Sequence, residues 1–170
     1  DDAAWQGEPL IPGLRRLSGG GEASQKTTVW AGHDGVGLYI AFDCRESQMD
    51  KLVAKYTDRG SPLYLEDDVE VFISPAGASR AYQFAVNPLG TQSDNFGNSA
   101  DWKAAAQRDD TGWSVEMYIP FGALGDDGKP RDLPWGMQFG RQEKPSGEVT
   151  SWTPGSAFIV RESMGEVKLE

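Results

Sequence analysis

From about residue 27 onward, apolar side chains recur at every second position. The runs TTVWA, GLYIAFDC, DVEVFI, AYQFAVN, WSVEMYIP, GMQFGRQ and GEVKLE follow one another, separated by clusters of Gly, Pro, Asp and Asn. A period of two predicts strands. Leu38, Ile40 and Phe42 alternate with Tyr39, Ala41 and Asp43, and Val69, Val71 and Ile73 with Asp68, Glu70 and Phe72. Trp113, Val115, Met117 and Ile119 alternate with Ser114, Glu116 and Tyr118. One core face and one mixed face per strand suit antiparallel sheets, because parallel strands covered on both sides read as continuous apolar runs. The expected fold is all-β, a β-sandwich of two antiparallel sheets formed by residues 1–170 as a single domain.

The breaks between these runs carry their own information. Gly32, Gly35 and Gly37 frame His33 and Asp34 between two strand patterns, which predicts a hairpin turn. Pro62, Pro75, Pro88, Pro120, Pro134 and Pro154 fall at or near the ends of strand patterns, where a missing N–H removes no ladder bond. Only Ser47 to Tyr56 has helical spacing, through Met49, Leu52, Val53 and Tyr56 behind a candidate Ser47 cap, and a short helix and an irregular connection are equally compatible with it. No internal repeat or interdomain linker is visible, and Ser18-Gly19-Gly20-Gly21 reads as a loop.

Composition supports this picture and narrows the function. The 170 residues include 21 Gly and 10 Pro, more than average usage provides, together with 18 aromatic residues to fill a core. The formal net charge of −10 opposes a nucleic-acid phosphate backbone or an anionic membrane as partner. Most of the 26 acidic residues read as a solvated face. A single cysteine, Cys44, excludes an internal disulfide and reads as a buried inert thiol at the end of a strand pattern. No apolar run is long enough for a membrane-spanning helix. The opening DDAAW lacks the basic and apolar blocks of a signal peptide, so the expectation is a removed leader or an excised domain.

Several catalytic chemistries find no support in the pattern. His33 is the only imidazole and sits on a glycine-rich turn with no obvious orienting partner, so a nucleophile–histidine pair and haem ligation are poorly served and a multi-histidine zinc site cannot be assembled. No phosphate-binding glycine motif links a strand to a helix. Acidic pairs suited to glycoside hydrolysis are uninformative where acids are so abundant.

The informative segment is PLYLEDDVEVFISP, which places Tyr64, Glu66, Asp67, Asp68 and Glu70 directly before and within a strand. In AYQFAVNPLG, Gln83, Ala85 and Asn87 share a face, and Glu116 interrupts the apolar strand WSVEMYIPF. Polar residues on one sheet face flanked by aromatics suit a sugar: aromatic planes cover the C–H faces of a pyranose, while carboxylates and amides take its hydroxyls. A structural ion pair across the sheet between Glu116 and Arg141 is the simplest reading of those two charges, and Trp113 and Trp152 read as core. Oxygen ligands for structural calcium are available in Glu66-Asp67-Asp68 or Asp94-Asn95, without EF-hand spacing.

The ordered set DVEVFI, YQFAVNPLG, Trp102, WSVEMYIPF, PWGMQFGRQ, SWTP and GEVKL, from about Trp5 to Leu169, resembles the family 9 carbohydrate-binding modules and their DOMON-like relatives. The resemblance implies a non-catalytic module in which two aromatic side chains hold a sugar or polysaccharide end. It implies a secreted, periplasmic or cell-surface protein with a neighbouring catalytic domain, and sometimes structural calcium. Carried over residue by residue, the first aromatic falls on Tyr64, the glutamate on Glu70 and the second aromatic on Phe158. Gln83, Asn87, Gln138 and Arg141 complete the expected carbohydrate-binding set. This chain has Tyr64 and Phe158 where the characterised binders have tryptophan, Ala85 where they have arginine, and Gly140 where an amide is expected. Those departures give the alternative expectation, a structural or protein-interaction sandwich that has lost the sugar site. A haem-binding electron-transfer domain is the remaining option within the superfamily.

Overall fold

The fold is taken from a computed structural model, described here for residues 5, 7–76, 78, 81–97, 101–128, 134–155 and 161–168. Eleven strands follow in order: β1 (Arg15–Arg16), β2 (Thr27–His33), β3 (Gly37–Arg45), β4 (Asp68–Ser74), β5 (Tyr82–Val86), β6 (Gln92–Asp94), β7 (Lys103–Asp109), β8 (Gly112–Pro120), β9 (Trp135–Glu143), β10 (Glu148–Ser151) and β11 (Gly165–Val167). They form a seven-stranded sheet in the order β1-β10-β9-β4-β5-β6, with β11 also pairing β9, and a four-stranded sheet in the order β2-β3-β8-β7. Every pairing is antiparallel, so the expected β-sandwich is the observed one.

The alternating residues explain why the two sheets close on each other. Val69, Val71 and Ile73 of β4, Tyr82, Phe84 and Val86 of β5, and Met137 and Phe139 of β9 pack against Leu38, Ile40 and Phe42 of β3 and Val115, Met117 and Ile119 of β8. Cys44 and Trp113 join this core, and burial pushes the Cys44 thiol up to about 12, which keeps it protonated and inert. Trp152 packs on the core edge, with its ring centroid 5.9 Å from that of Phe139. The Gly32–Gly37 turn is the predicted hairpin: the Asp34 carboxylate accepts from the N–H groups of Val36 and Gly37, and Gly35 takes a φ of 84° that a side chain would oppose.

Strands without the alternating signal lie at or near sheet edges. In β7 the inward positions are Ala104 and Ala106, too small to register as a hydrophobic period, while register with β8 supplies the pairing. Strands β1 and β6 are two and three residues long, and β10 has four.

The segment from Ser47 to Tyr56 is an irregular connection: one 3-10 turn at Met49–Lys51 is followed by non-helical chain. Carboxylates compete successfully with helical hydrogen bonding there. Asp67 accepts from the Val53 N–H at 2.8 Å, and Glu66 accepts from the N–H groups of Lys55 and Tyr56 at 2.6 and 3.1 Å. The helical spacing of the apolar residues is therefore coincidental.

Arg141 differs from its sequence expectation on both counts. Counting along β9, Trp135, Met137, Phe139 and Arg141 face the space between the sheets, whereas Gly136, Gln138, Gly140 and Gln142 face outward. Its guanidinium is 1% exposed and donates to Glu46 Oε2 at 3.0 Å, the Arg45 carbonyl at 2.8 Å and Thr27 Oγ1 at 3.2 Å, and it lies 5.8 Å from the Trp113 ring centroid. Arg141 is thus a cross-sheet lock and is removed from the ligand set. Glu116 is not its partner; it sits on the outer face of the smaller sheet and accepts from Trp5 Nε1 at 2.8 Å. Removing one member of a buried pair leaves the other charge unmatched. Arg141→Ala is therefore expected to cost about 3–5 kcal/mol in denaturant unfolding, with much of the loss recovered in the double variant Arg141→Met/Glu46→Leu; a single variant as stable as the parent would contradict the lock.

Candidate functional site

The register of the larger sheet arranges the candidate residues in rows on its outer face. Gly140, Glu70, Ala85 and Ser93 stand side by side across β9, β4, β5 and β6, and the adjacent row holds Gln138, Phe72 and Gln83. Glu70 is flanked by two small residues, Gly140 and Ala85, so no neighbour in its own row reaches its carboxylate. Diagonal neighbours do: Gln83 Nε2 donates to Oε2 at 2.9 Å, and Gln142 Nε2 to Oε1 at 3.4 Å. Burial raises the Glu70 pKa, opposed by these two amides and by the Lys144 charge.

The centre of this sheet is covered on its outer side as well, so β4 is buried at every position. Gln138 is 1% exposed: its amide donates to the carbonyls of Thr153 at 3.0 Å and Ser163 at 3.4 Å and to the Thr153 hydroxyl, while its carbonyl accepts from the Thr153 N–H. Asn87 is fully buried, donating to the Tyr56 carbonyl and accepting from the N–H groups of Leu89 and Thr91 at 3.0 and 2.9 Å. Both side chains fasten loops over the sheet and have no capacity left for a ligand. Phe158 lies outside the described residues.

A minority of the acids depart from the solvated face expected of most of them. Glu46, Glu66, Asp67, Asp68, Glu70, Asp94 and Glu143 are buried. Asp68 apart, the two candidate calcium clusters are committed to N–H donors. Asp67 accepts from Val53 and Lys144, Asp94 accepts from Trp102 Nε1 at 3.1 Å and pairs with Arg59 at 3.5 Å, and Asn95 accepts from the Gln83 N–H. Among the described residues, no three His, Cys, Asp or Glu side chains converge as metal ligands would.

What remains open is a cleft of about 280 Å³ beside Tyr64, between the Gly60–Tyr64 loop and the outer faces of β5 and β6. Tyr64 is 58% exposed at its edge. The ring is positioned by a 3-10 turn at Leu63–Leu65 whose Leu63 is anchored in the interior, and by Lys144 Nζ, which donates to the Tyr64 carbonyl at 2.8 Å. Gln83, Ala85 and Ser93 line the cleft, with Asp68 buried beneath its wall and Glu70 behind Gln83. The sequence pattern located Tyr64, Glu70 and Gln83 together; it missed Ser93 and Lys144, since neither lies in an alternating run.

Asp68 is the least satisfied group here. It is fully buried, and neither carboxylate oxygen has a hydrogen-bond partner. Burial, and next the charge of Glu70, push its pKa well above the usual carboxylate range, with Lys144 and the nearby Gln142 N–H only partly offsetting them. That N–H eases ionisation without meeting hydrogen-bond geometry. A carboxyl whose folded pKa exceeds its unfolded value near 3.9 favours the native state when protonated, and that contribution is lost as pH rises through the folded pKa. Asp68→Asn is therefore expected to raise the melting temperature at pH 8, by a margin that narrows as pH falls toward 4. A margin independent of pH in thermal melts would refute the assignment.

The comparisons with known proteins agree with this architecture. The sequence pattern of the carbohydrate family 9 binding domain-like family matches residues 1–170. No curated protein sequence matches significantly. Among solved structures, a "putative carbohydrate-binding protein" from Bacteroides uniformis ATCC 8492 is similar with a TM-score of 0.72 at 18% identity, covering 87% of this chain and 80% of its own. A family 9 carbohydrate-binding module from Caldicellulosiruptor kristjanssonii in complex with cellotriose has a TM-score of 0.68 at 18% identity, covering 96% of this chain and 90% of its own. Its complex with glucose gives 0.68 at 17% identity, with 96% and 92% coverage. Over its full 170 residues, this chain belongs to the carbohydrate family 9 binding domain-like family.

Proposed function

We propose that the protein is a non-catalytic carbohydrate-binding module that holds a sugar, or the end of a polysaccharide, against Tyr64. The observation that carries this reading is an exposed tyrosine ring at the mouth of a cleft lined by Gln83, Ala85 and Ser93, with the Gln83 amide held from behind by Glu70. The ring supplies a plane for the C–H face of a pyranose, and Gln83 and Ser93 supply donors and acceptors for its hydroxyls. Family membership and the sugar complexes of similarly folded modules support it. No bond is made or broken in this reading: Glu70 is held between two amides and Asp68 is closed off from solvent, so neither serves as an acid–base group toward a ligand. A secreted or cell-surface location, beside a domain that acts on polysaccharide, completes the proposal.

Ala85 and Gly140, which leave Glu70 without larger neighbours, bear on strength. Each sugar hydrogen bond exchanges one with water for a net gain of about 1 kcal/mol, so stacking on Tyr64 contributes much of the affinity. Affinity gels and calorimetry against xylan, cellulose, mannan and small sugars test the proposal. Binding to at least one glycan is expected, and Tyr64→Ala is expected to weaken it about tenfold, equivalent to roughly 1.4 kcal/mol. A folded protein that binds none of them would favour instead a structural or protein-interaction sandwich.

A further inference from the structure

The chain has six tryptophans, and Trp102, Trp113, Trp135 and Trp152 pack in or against the core. Trp5 and Trp30 do not. Both lie on the outer face of the four-stranded sheet, on the opposite side of the sandwich from the Tyr64 cleft, where they border a groove of about 550 Å³. That volume falls within the range of roughly 300–1,000 Å³ found for small-molecule sites.

Register shows how the groove is built. Trp30, Ala41, Glu116 and Ala105 form one row across β2, β3, β8 and β7; Thr28, Asp43, Ser114 and Gln107 form the next. Ala41 and Ala105 keep the floor low beside the two indoles, and Gly112 continues it between Arg45 and Asp109. Both tryptophans are half-buried and held by their ring N–H groups: Trp5 donates to Glu116 Oε1 at 2.8 Å and Trp30 to the Gly7 carbonyl at 3.1 Å. Their orientations are set before any ligand arrives, which reduces the ordering cost of binding. Across the floor, the Gln107 amide and the Ser114 hydroxyl make no hydrogen bond among the described residues.

We propose that this face is a second carbohydrate-binding groove, taking a neutral oligosaccharide across the strands of the smaller sheet. Fixed indoles beside a shallow floor suit the C–H faces of pyranose rings, and Gln107, Ser114 and the Asp43 carboxylate suit their hydroxyls. The charges exclude a polyanionic glycan. Asp43, Asp109 and Glu116 outnumber Arg45 and Arg108 in the groove, Asp43 is paired with Arg45 at 3.2 Å, and the whole chain carries −10. The groove requires nothing from the Tyr64 cleft, so either site stands if the other fails.

The test is a proton–nitrogen NMR titration of the labelled protein with cellotetraose and xylotetraose, on the parent, Tyr64→Ala and Ala105→Arg. Ala105 is exposed on edge strand β7 opposite Glu116, so arginine fills the floor without disturbing the core. With at least one sugar, shifts are expected at the ring N–H groups of Trp5 and Trp30 and the amides of Ala41, Ala105 and Ser114. They should persist in Tyr64→Ala and weaken at least tenfold in Ala105→Arg. Shifts confined to the Tyr64 side, no shifts with either sugar in a well-dispersed spectrum, or shifts unaffected by Ala105→Arg would overturn the proposal. Shifts at the tryptophans with a silent Tyr64 cleft would leave the groove standing and remove the first site.

Discussion

Backbone N–H groups in irregular chain must find acceptors, and buried acidic side chains are the acceptors this protein uses. Glu66 and Asp67 hold the 53–56 connection, Glu46 accepts from the Gln48 N–H, Glu143 from Ser146, and Asn87 closes its own turn through Leu89 and Thr91. Each bond satisfies a donor whose isolation in the interior would cost about 1–3 kcal/mol. The high count of acids is in part the counterpart of the near absence of helices among the described residues, since short elements joined by long connections leave many donors outside any ladder.

These fastened loops determine where a ligand can go. They cover the middle of the larger sheet, so Gln138 and Asn87 become scaffold and the accessible cleft moves aside to Tyr64, Gln83 and Ser93. The smaller sheet carries no such cover among the described residues, and its outer face keeps a groove bordered by Trp5 and Trp30. The sandwich therefore presents two different faces: a loop-covered one with an exposed tyrosine and an open one with two half-buried tryptophans.

Arg141 shows how one residue's role turns on which side of a strand it occupies. It follows Phe139 by two positions, so its side chain points between the sheets, where Glu46, the Arg45 carbonyl and Thr27 surround it. Cation and carboxylate come from different sheet layers, so the pair ties the layers together at the end of the apolar core. Burial pushes the Glu46 pKa up even with this partner, the ordinary consequence of taking a carboxylate out of water.

The alternation of Val69, Val71 and Ile73, and of Leu38, Ile40 and Phe42, determined that the chain forms antiparallel strands with one core face, because a period of two leaves no other way to bury every second side chain. The same pattern put Glu70 and Gln83 on a common outer face. It was silent on β7, whose inward residues are alanines, and on β10 and β6, whose short runs draw their pairing from longer neighbours. Only the tertiary structure decided which outward side chains meet solvent, since that depends on loops folding back over the sheet from far along the chain. It alone separated Arg141 from the ligand face, closed Asp68 off without a partner, and brought Trp5 to the groove that Trp30 borders through a contact with Glu116, 111 residues away. Such placements rest on long-range packing, which no local period encodes.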